Sequence, residues 1–247
     1  MTPMGEPFLA VVIPAFNEEK LIGDAIAQVS AHLSTKPYSW EIIVADDGSS
    51  DHTAEIVADA AERDDRVRLV HIPHSGKGAA VQAGILASDA TWRFMCDADL
   101  SMPADQIDRF FVNEDPTYDI GVGSREAPGS RRIDEPLRRH FIGRIYNYAA
   151  RVFVIRGLND TQCGFKMYRG ELAESIFGSQ TLSGFGFDVE VLFLAQKQDA
   201  HMEEIAIDWY YRQESKVSLI GGALGFIDIF RVGLNNLRGV YRDGASK

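Results

Sequence analysis

The chain has 247 residues, 45% of them apolar, enough to bury the core of one large α/β domain. Its formal net charge of −11 excludes a whole-surface attraction to nucleic acid. The charge is uneven. Residues 1–124 carry 21 acids against 8 bases, residues 125–156 carry 8 arginines against 3 acids, and residues 157–247 carry 9 bases against 12 acids. An arginine-rich island in an acidic chain points to an anionic partner at one place, although solvated helix faces also gather arginine. The two cysteines, Cys96 and Cys163, have neither the number of a disulfide framework nor metal-ligand spacing, and read as free thiols in a reducing cytoplasm. No signal peptide is expected at the start, and no apolar run reaches the length of a membrane span.

In chain order, Phe8-Leu9-Ala10-Val11-Val12-Ile13 is a continuous apolar run ended by Pro14, the pattern of a buried parallel strand. Leu21, Ile22, Ala25, Ile26, Val29 and Leu33 follow at helical spacing, with Asn17 placed to cap and Glu18 and Glu19 in the first turn. Ile42 to Ala45 reads as a second strand ending at Asp46-Asp47-Gly48, and Asp51 opens a helix running to about Arg63. Val67 to Ile72 is a third strand, Lys77 to Ser88 a third helix and Trp92 to Cys96 a fourth strand. Such alternation predicts βαβ units and a mostly parallel sheet, with ligands at the carboxyl ends of its strands. Pro14, Asp46-Asp47 and Asp97-Ala98-Asp99 all fall at such ends.

The second half is less regular. Leu137, Phe141, Ile145, Tyr148, Val152 and Ile155 form one helical stripe, with Arg138, Arg139, Arg144 and Arg151 elsewhere around it. Glu203 to Tyr211 alternates like a single strand, and Val217 to Val232 is apolar and glycine-rich. Without repeats, low-complexity tracts or a linker, residues 1–247 read as one domain, with a first half at 1–124 and a second at 125–247.

Asp97 and Asp99 end a buried strand with two carboxylates that repel each other, which makes sense if a divalent cation sits there. Hard oxygen donors suit magnesium or manganese, ions that keep waters and bridge to a substrate's phosphates. The competing reading is local: Asp99 or Ser101 caps a helix that begins at Pro103.

The segments Pro14-Ala15-Phe16-Asn17-Glu18, Val44 through Asp51, Gly76-Lys77-Gly78-Ala79 and Asp97-Ala98-Asp99 stand in this order. Together they resemble the nucleotide-sugar half of a family 2 glycosyltransferase. Gly123-Ser124-Arg125, Asp160 through Lys166 and Arg212 through Lys216 extend the resemblance over nearly the whole chain. It is most similar to the polyprenyl-phosphate glycosyltransferases, the dolichyl-phosphate β-glucosyltransferases and mannose synthases, and Asp160-Thr161-Gln162-Cys163-Gly164-Phe165-Lys166 tilts it toward the glucosyl branch. The resemblance implies an α/β A-type glycosyltransferase fold, with a Rossmann-like, mostly parallel sheet flanked by helices. It further implies inverting transfer of a hexose, glucose from UDP-glucose or mannose from GDP-mannose, to dolichyl or undecaprenyl phosphate, with Mg2+ or Mn2+.

Position by position, the resemblance implies a base and ribose pocket at Pro14, Ala15, Asn17 and Glu18. Asp46 or Asp47 would bond the base edge. Gly76 and Gly78 would bring backbone to the nucleotide with Lys77 nearby, and Asp97 would face the ribose or the metal. Asp99 would hold the metal, with Ser101 standing where mannose synthases have glutamine. Arg125 and Arg139, then Arg212 and Lys216, would receive phosphates, and Lys166 and Asp188 complete the expected catalytic set. An acceptor phosphate is already an anion and needs no strong base, so Asp188 and Glu190 are expected to position the acceptor or to order arginines. The helical segments 137–155 and 217–232 are expected to lie on the cytoplasmic surface of a membrane. A homodimer or a separate membrane partner would fit as well. Transfer to a hydroxyl acceptor, or a non-catalytic nucleotide-sugar sensor, are the other readings.

Overall fold

The computed structural model describes residues 6–111, 116–136, 147–150, 154–212 and 219–241; of residues 219–224 and 226 only the backbone is described. Seven strands form the central sheet: β1 (Leu9–Ala15), β2 (Trp40–Asp46), β3 (Val67–His71), β4 (Trp92–Cys96), β5 (Ile120–Ser124), β7 (Phe165–Arg169) and β8 (Met202–Ala206). Their order is β3-β2-β1-β4-β7-β5-β8, and a second sheet pairs β6 (Arg131–Ile133) with β9 (Asp208–Tyr210). All ladders of the large sheet are parallel except the two that β7 makes with β4 and β5. Each of β1, β2 and β4 is buried along its whole length, as continuous apolar runs between helical layers should be.

Helices α1 (Ile22–Leu33), α2 (Thr53–Arg63), α3 (Lys77–Leu86), α4 (Gly170–Gly178), α5 (Phe187–Lys197) and α6 (Leu219–Leu237), with a 3-10 helix at Ala104–Phe111 and a helical turn at 147–150, complete the described elements. One apolar cluster joins α1 and the 3-10 helix to one face of the sheet through Ile22, Val29, Phe94, Ile107 and Phe110. A second joins α3, α4, α5 and α6 to the other face through Val12, Val81, Phe177, Leu192 and Val232. Gly84 sets the spacing of α3 on the sheet, since a Cβ there would stand 2.4 Å from Val12 Cγ1.

The polarity of the strands decides where the site lies. Because β7 runs against β4, Phe165 opposes Cys96, and the loop before β7 lies beside the loop after β4. Because β5 runs against β7 and with β8, residues following Ser124 and Ala206 emerge at that same rim. The rim therefore collects the segments after β1, β2, β3, β4, β5 and β8, and the one before β7.

Several sequence expectations are corrected. Helix α1 begins after Leu21, so Asn17 does not cap it. Instead Asn17 sits at a φ of 53° and accepts from the Ser50 N–H at 2.8 Å, tying two loops. Asp51 lies outside α2 and accepts from the Thr53 N–H at 3.0 Å. Strand β3 ends at His71 and α3 at Leu86. The segment expected as one strand from Glu203 to Tyr211 divides at buried Ile207 into β8 and β9, which join different sheets. Gln106 holds the break by bonding both the N–H and the carbonyl of Asp208. The 3-10 helix begins at Ala104, and Asp99 accepts from the Ser101 N–H inside the preceding turn, so neither Asp99 nor Ser101 caps it. Of the stripe expected over 137–155, Leu137, Arg138, Arg139, Phe141, Arg144, Ile145, Arg151 and Val152 lie outside the described residues. Within it, residues 147–150 are helical, Ile155 is buried and Tyr148 is exposed.

Gly84→Val should cost about 2 kcal/mol through overpacking against Val12. The measurement is a shift of the urea midpoint without a change of slope.

Candidate active site

The loop after β1 and the loop after β2 are knitted together by local bonds. Asp47 N–H donates to the Ala15 carbonyl at 2.8 Å, Asn17 N–H to the Ser49 hydroxyl at 2.8 Å and Glu18 N–H to the Thr53 hydroxyl at 2.8 Å. Pro14 and Ala15 stand in register with Ala45 and Asp46, so the four residues expected to form a pocket do share one corner of the rim. Phe16 and His74 stack there at 4.1 Å between centroids.

Asp46 and Asp47 are both buried, and both are engaged by their own chain. Asp46 accepts from Ser49 and pairs with His71 at 2.7 Å. Asp47 accepts from the N–H groups of Ser75 (2.7 Å) and Gly76 (2.9 Å) and pairs with His74 at 2.8 Å. Their observed task is to hold the loop walls, a task that spacing alone did not reveal. The glycines around Lys77 also differ from expectation. Gly76, at φ 113°, and Gly78 make room for protein: a Cβ on Gly76 would lie 2.6 Å from the Ser183 carbonyl, and one on Gly78 2.8 Å from those of Leu182 and Gly184.

Lys77 projects from the first turn of α3 to Asp97, with Nζ 2.6 Å from Oδ1. Burial works against its charge, but Asp97, Asp188 and Asp99 outweigh it and raise the Lys77 ammonium above the usual lysine range. Asp97 is crossed closely by Gly164, where a Cβ would fall 1.9 Å from Oδ2. Only glycine fits at that position beside the carboxylate. Asp99 has the opposite balance: burial, then repulsion by Asp97, raises its carboxyl above the ordinary carboxylate range against the pull of Ser101 and Lys77.

Behind this pair lies a buried ladder of alternating charge. Lys166 on β7 is fully buried and donates at 2.6 Å to both the Cys163 carbonyl and Asp188 on α5. Burial raises the Asp188 carboxyl, with Lys166 and Lys77 opposing. Farther along the rim Arg125 grips buried Asp160 through two nitrogens, at 2.7 and 2.8 Å, and through its backbone N–H at 3.0 Å. Burial favours the neutral acid, but Arg125 prevails and holds Asp160 well below the usual carboxylate range. The Arg125 fork, expected to meet a phosphate, thus faces Asp160, with its guanidinium 5.5 Å from the Trp209 ring. Arg212 is exposed two residues beyond β9, while Arg139 and Lys216 lie outside the described residues. Glu190 bonds Thr181, Leu182 and Tyr241, a network separate from the Lys166–Asp188 pair. Burial raises the thiols of Cys96 and Cys163, the latter to about 12, in keeping with free, protonated cysteines.

The site therefore joins Asp97, Asp99, Lys77, Asp188 and Lys166 beside the loop corner of Pro14 to Glu18. Among Asp97, Asp99, Asp188 and Asp160 on one side and Lys77, Lys166 and Arg125 on the other, four acids face three bases. Asp99 is the acid of the four that is raised by burial and by its neighbour Asp97 without a lysine or arginine bonded to it among the described residues. Two adjacent carboxylates short of one positive charge suit a hard divalent cation that takes its remaining ligands from substrate and water. Among the described residues no third acidic, histidine or cysteine ligand joins them.

Glycosyl transferase family 2 matches residues 10–177, and the chain belongs to that family. It is a glycosyltransferase. It is 32% identical to dolichyl-phosphate beta-glucosyltransferase ALG5C of Trichomonas vaginalis, over 93% of this chain and 72% of that one. The dolichyl-phosphate beta-glucosyltransferase of Dictyostelium discoideum is 32% identical over 97% and 78%, and that of Homo sapiens 30% identical over 85% and 69%. Among solved structures, glucosyl-3-phosphoglycerate synthase from Mycobacterium tuberculosis, in complex with UDP, superimposes with a TM-score of 0.67. It is 18% identical, over 92% of this chain and 80% of that one. Mannosyl-3-phosphoglycerate synthase from Rubrobacter xylanophilus gives 0.68 at 17% identity, over 98% and 76%. These likenesses are of fold, the A-type glycosyltransferase fold.

Asp160→Asn should cost about 3–5 kcal/mol by leaving Arg125 buried without its counter-charge. Asp160 has a depressed pKa in the folded state, so its contribution is full above the unfolded value near about pH 4 and is lost as pH falls further. The gap between wild type and variant in urea unfolding should stay constant from neutral pH down to that point and close in stronger acid.

Proposed function

We propose that the protein transfers glucose from UDP-glucose to a polyprenyl phosphate, inverting the anomeric centre and using a divalent cation. The observation that carries this reading is the Asp97–Asp99 pair, with Lys77 bound to the first and no lysine or arginine bonded to the second among the described residues, on the rim beside the loop corner of Pro14 to Glu18. The names of the relatives support glucose and dolichyl phosphate as donor sugar and acceptor. Pro14, Ala15, Asn17 and Glu18 line the nucleoside pocket, while Asp46 and Asp47 shape it by holding the segments at 49 and 71–76. Asp97 and Asp99 would hold magnesium or manganese, which when bound supplies positive charge to the departing diphosphate. Ser101 serves that arrangement by orienting Asp99.

Lys77 stands next to Asp97, where its ammonium balances charge on the leaving group. The acceptor phosphate attacks as an anion, so proton removal is no obstacle. Asp188, held at 2.6 Å by Lys166, acts as a fixed charge beneath the site rather than as a base. Arg212, Arg139 and Lys216 are proposed to receive the acceptor phosphate, while Arg125 is locked to Asp160.

Contact with a membrane is part of the same proposal. Ile227, Phe230, Leu234 and Leu237 are exposed at helical spacing on α6, followed by Val240, and Arg231 beside them is exposed as well. A stripe of this kind with a cationic neighbour suits the boundary between acyl chains and anionic head groups. Among the described residues no helix is long and apolar enough to cross a membrane.

The decisive test incubates the purified protein with dolichyl phosphate in vesicles and, separately, UDP-glucose, UDP-galactose and GDP-mannose, with Mg2+, Mn2+ or EDTA. Glucolipid from UDP-glucose alone, abolished by EDTA, is expected; product with GDP-mannose would move the assignment to mannosyl transfer, and transfer without any lipid phosphate would end it. Asp99→Asn should lower turnover by roughly 100-fold or more while leaving the unfolding midpoint unchanged or raised. Ile227→Asp combined with Leu237→Asp should cut partition onto anionic vesicles about 100-fold or more, since each exposed side chain loses a transfer energy of about 1.5–3 kcal/mol. Turnover on a short, water-soluble polyprenyl phosphate should persist in that variant.

A further inference from the structure

Glu190 on α5 is fully buried, and among the described residues its carboxylate is paired with no lysine or arginine. Its carboxylate accepts from the N–H groups of Thr181 (3.0 Å) and Leu182 (2.7 Å), from the Thr181 hydroxyl and from the Tyr241 hydroxyl (2.7 Å). Four donors occupy the lone-pair directions of its two oxygens. A carboxylate so engaged is poised to hold backbone in place.

The backbone it holds leads directly to the donor site. After Leu182, the Ser183 carbonyl accepts from Ala79 N–H at 3.1 Å, in the first turn of α3. Gln180 Nε2 bridges the Gly78 carbonyl at 2.9 Å and the Leu182 carbonyl at 2.7 Å. Gly76 and Gly78 lie so close to this segment that any Cβ would clash with its carbonyls. Between those glycines stands Lys77, 2.6 Å from Asp97. Every link in the chain from Glu190 to Asp97 is a hydrogen bond, an ion pair or a contact with no room for slack.

We propose that Glu190 is a positioning residue of the donor site: it sets the 181–184 segment against Gly76–Gly78 and so fixes the Lys77 ammonium on Asp97. The proposal deepens the reading of Lys77 and Asp97 as donor-site residues and is testable apart from it. Tyr241 and Thr181 are its working partners. Removing either hydroxyl takes one donor from Glu190, whereas Glu190→Leu leaves the Thr181 and Leu182 N–H groups, which share one carboxylate oxygen, with no acceptor.

The experiment is competitive amine labelling of the full chain with acetic anhydride, read by mass spectrometry at Lys77, with Lys20 and Lys36 as references. In folded Glu190→Leu, Lys77 should label at least about threefold faster, the scale of one net hydrogen bond, with Lys20 and Lys36 unchanged. Thr181→Val and Tyr241→Phe should each give a smaller rise in the same place. In parallel, the donor KM should rise in these variants while the acceptor KM stays put. Unchanged Lys77 labelling, or an equal rise at all three lysines, would overturn the proposal. Should Glu190→Leu fail to fold, the two hydroxyl variants decide by the same criterion. A selective rise at Lys77 in a protein that transfers no sugar would uphold the positioning role and remove the functional reading instead.

Discussion

Lys77 and Asp97 come from two strand-end loops and meet at 2.6 Å, half-buried, at the rim of the sheet. Asp97 follows β4 and Lys77 opens α3, so this ion pair exists only because parallel β1, β2, β3 and β4 deliver their ends to one side. The pair in turn determines the charge of everything near it. With Lys77 committed to Asp97, Asp99 is left to the N–H of Ser101 and to burial. Asp99 is thus left with a carboxyl that burial and Asp97 raise, and under the proposed function that is where a cation and its diphosphate would find charge to balance.

Helix α5 serves the site twice, through residues two positions apart. Such neighbours lie about 200° apart around a helix and cannot address the same partner. Asp188 accordingly meets Lys166 under the rim, while Glu190 turns to the 181–182 backbone. The same geometry explains why Gly186, just before α5, must be small: a Cβ there would lie 2.3 Å from Asp228 Cβ on α6. Helix α6 is therefore packed against the base of α5 on one side and presents its apolar stripe on the other. Asn235 and Tyr241, at its end, reach the Thr181–Glu190 network.

The parallel half of the fold was legible because its signals are local. Buried strands read as unbroken apolar runs, and carboxylates at their ends read as ligand positions in any doubly wound sheet. The Trp92–Cys96 strand and the rim placement of Pro14, Asp46-Asp47 and Asp97 follow from that logic. What stayed illegible were pairings between residues distant in the chain. Nothing local marks Asp160 as the counter-charge of Arg125, or Asp188 as that of Lys166, because both depend on β7 entering the sheet antiparallel. Asp46 and Asp47 looked available for a ligand for the same reason: His71, His74 and the Ser75–Gly76 amides claim them only after β3 is in place. Gly164 stood in a motif as one small residue among others, and its reason emerges only when Asp97 crosses it.

The way charge is distributed also explains why so many of the basic residues near the rim are spent internally. A nucleotide sugar brings a diphosphate and the proposed acceptor a phosphate, so free guanidinium groups crowded at the rim would bind either anion without discrimination. Locking Arg125 onto Asp160 and Lys166 onto Asp188 withdraws two cations from that competition, yet keeps their fields beneath the floor. Buried, paired charges of this kind cost desolvation and add little net stability over apolar packing. Their value lies in fixing where the remaining charge resides. With the floor balanced, the proposed function places a cation-bound diphosphate at Asp99 and a bare phosphate toward exposed Arg212 beyond β9, so the two anions would have different places to go.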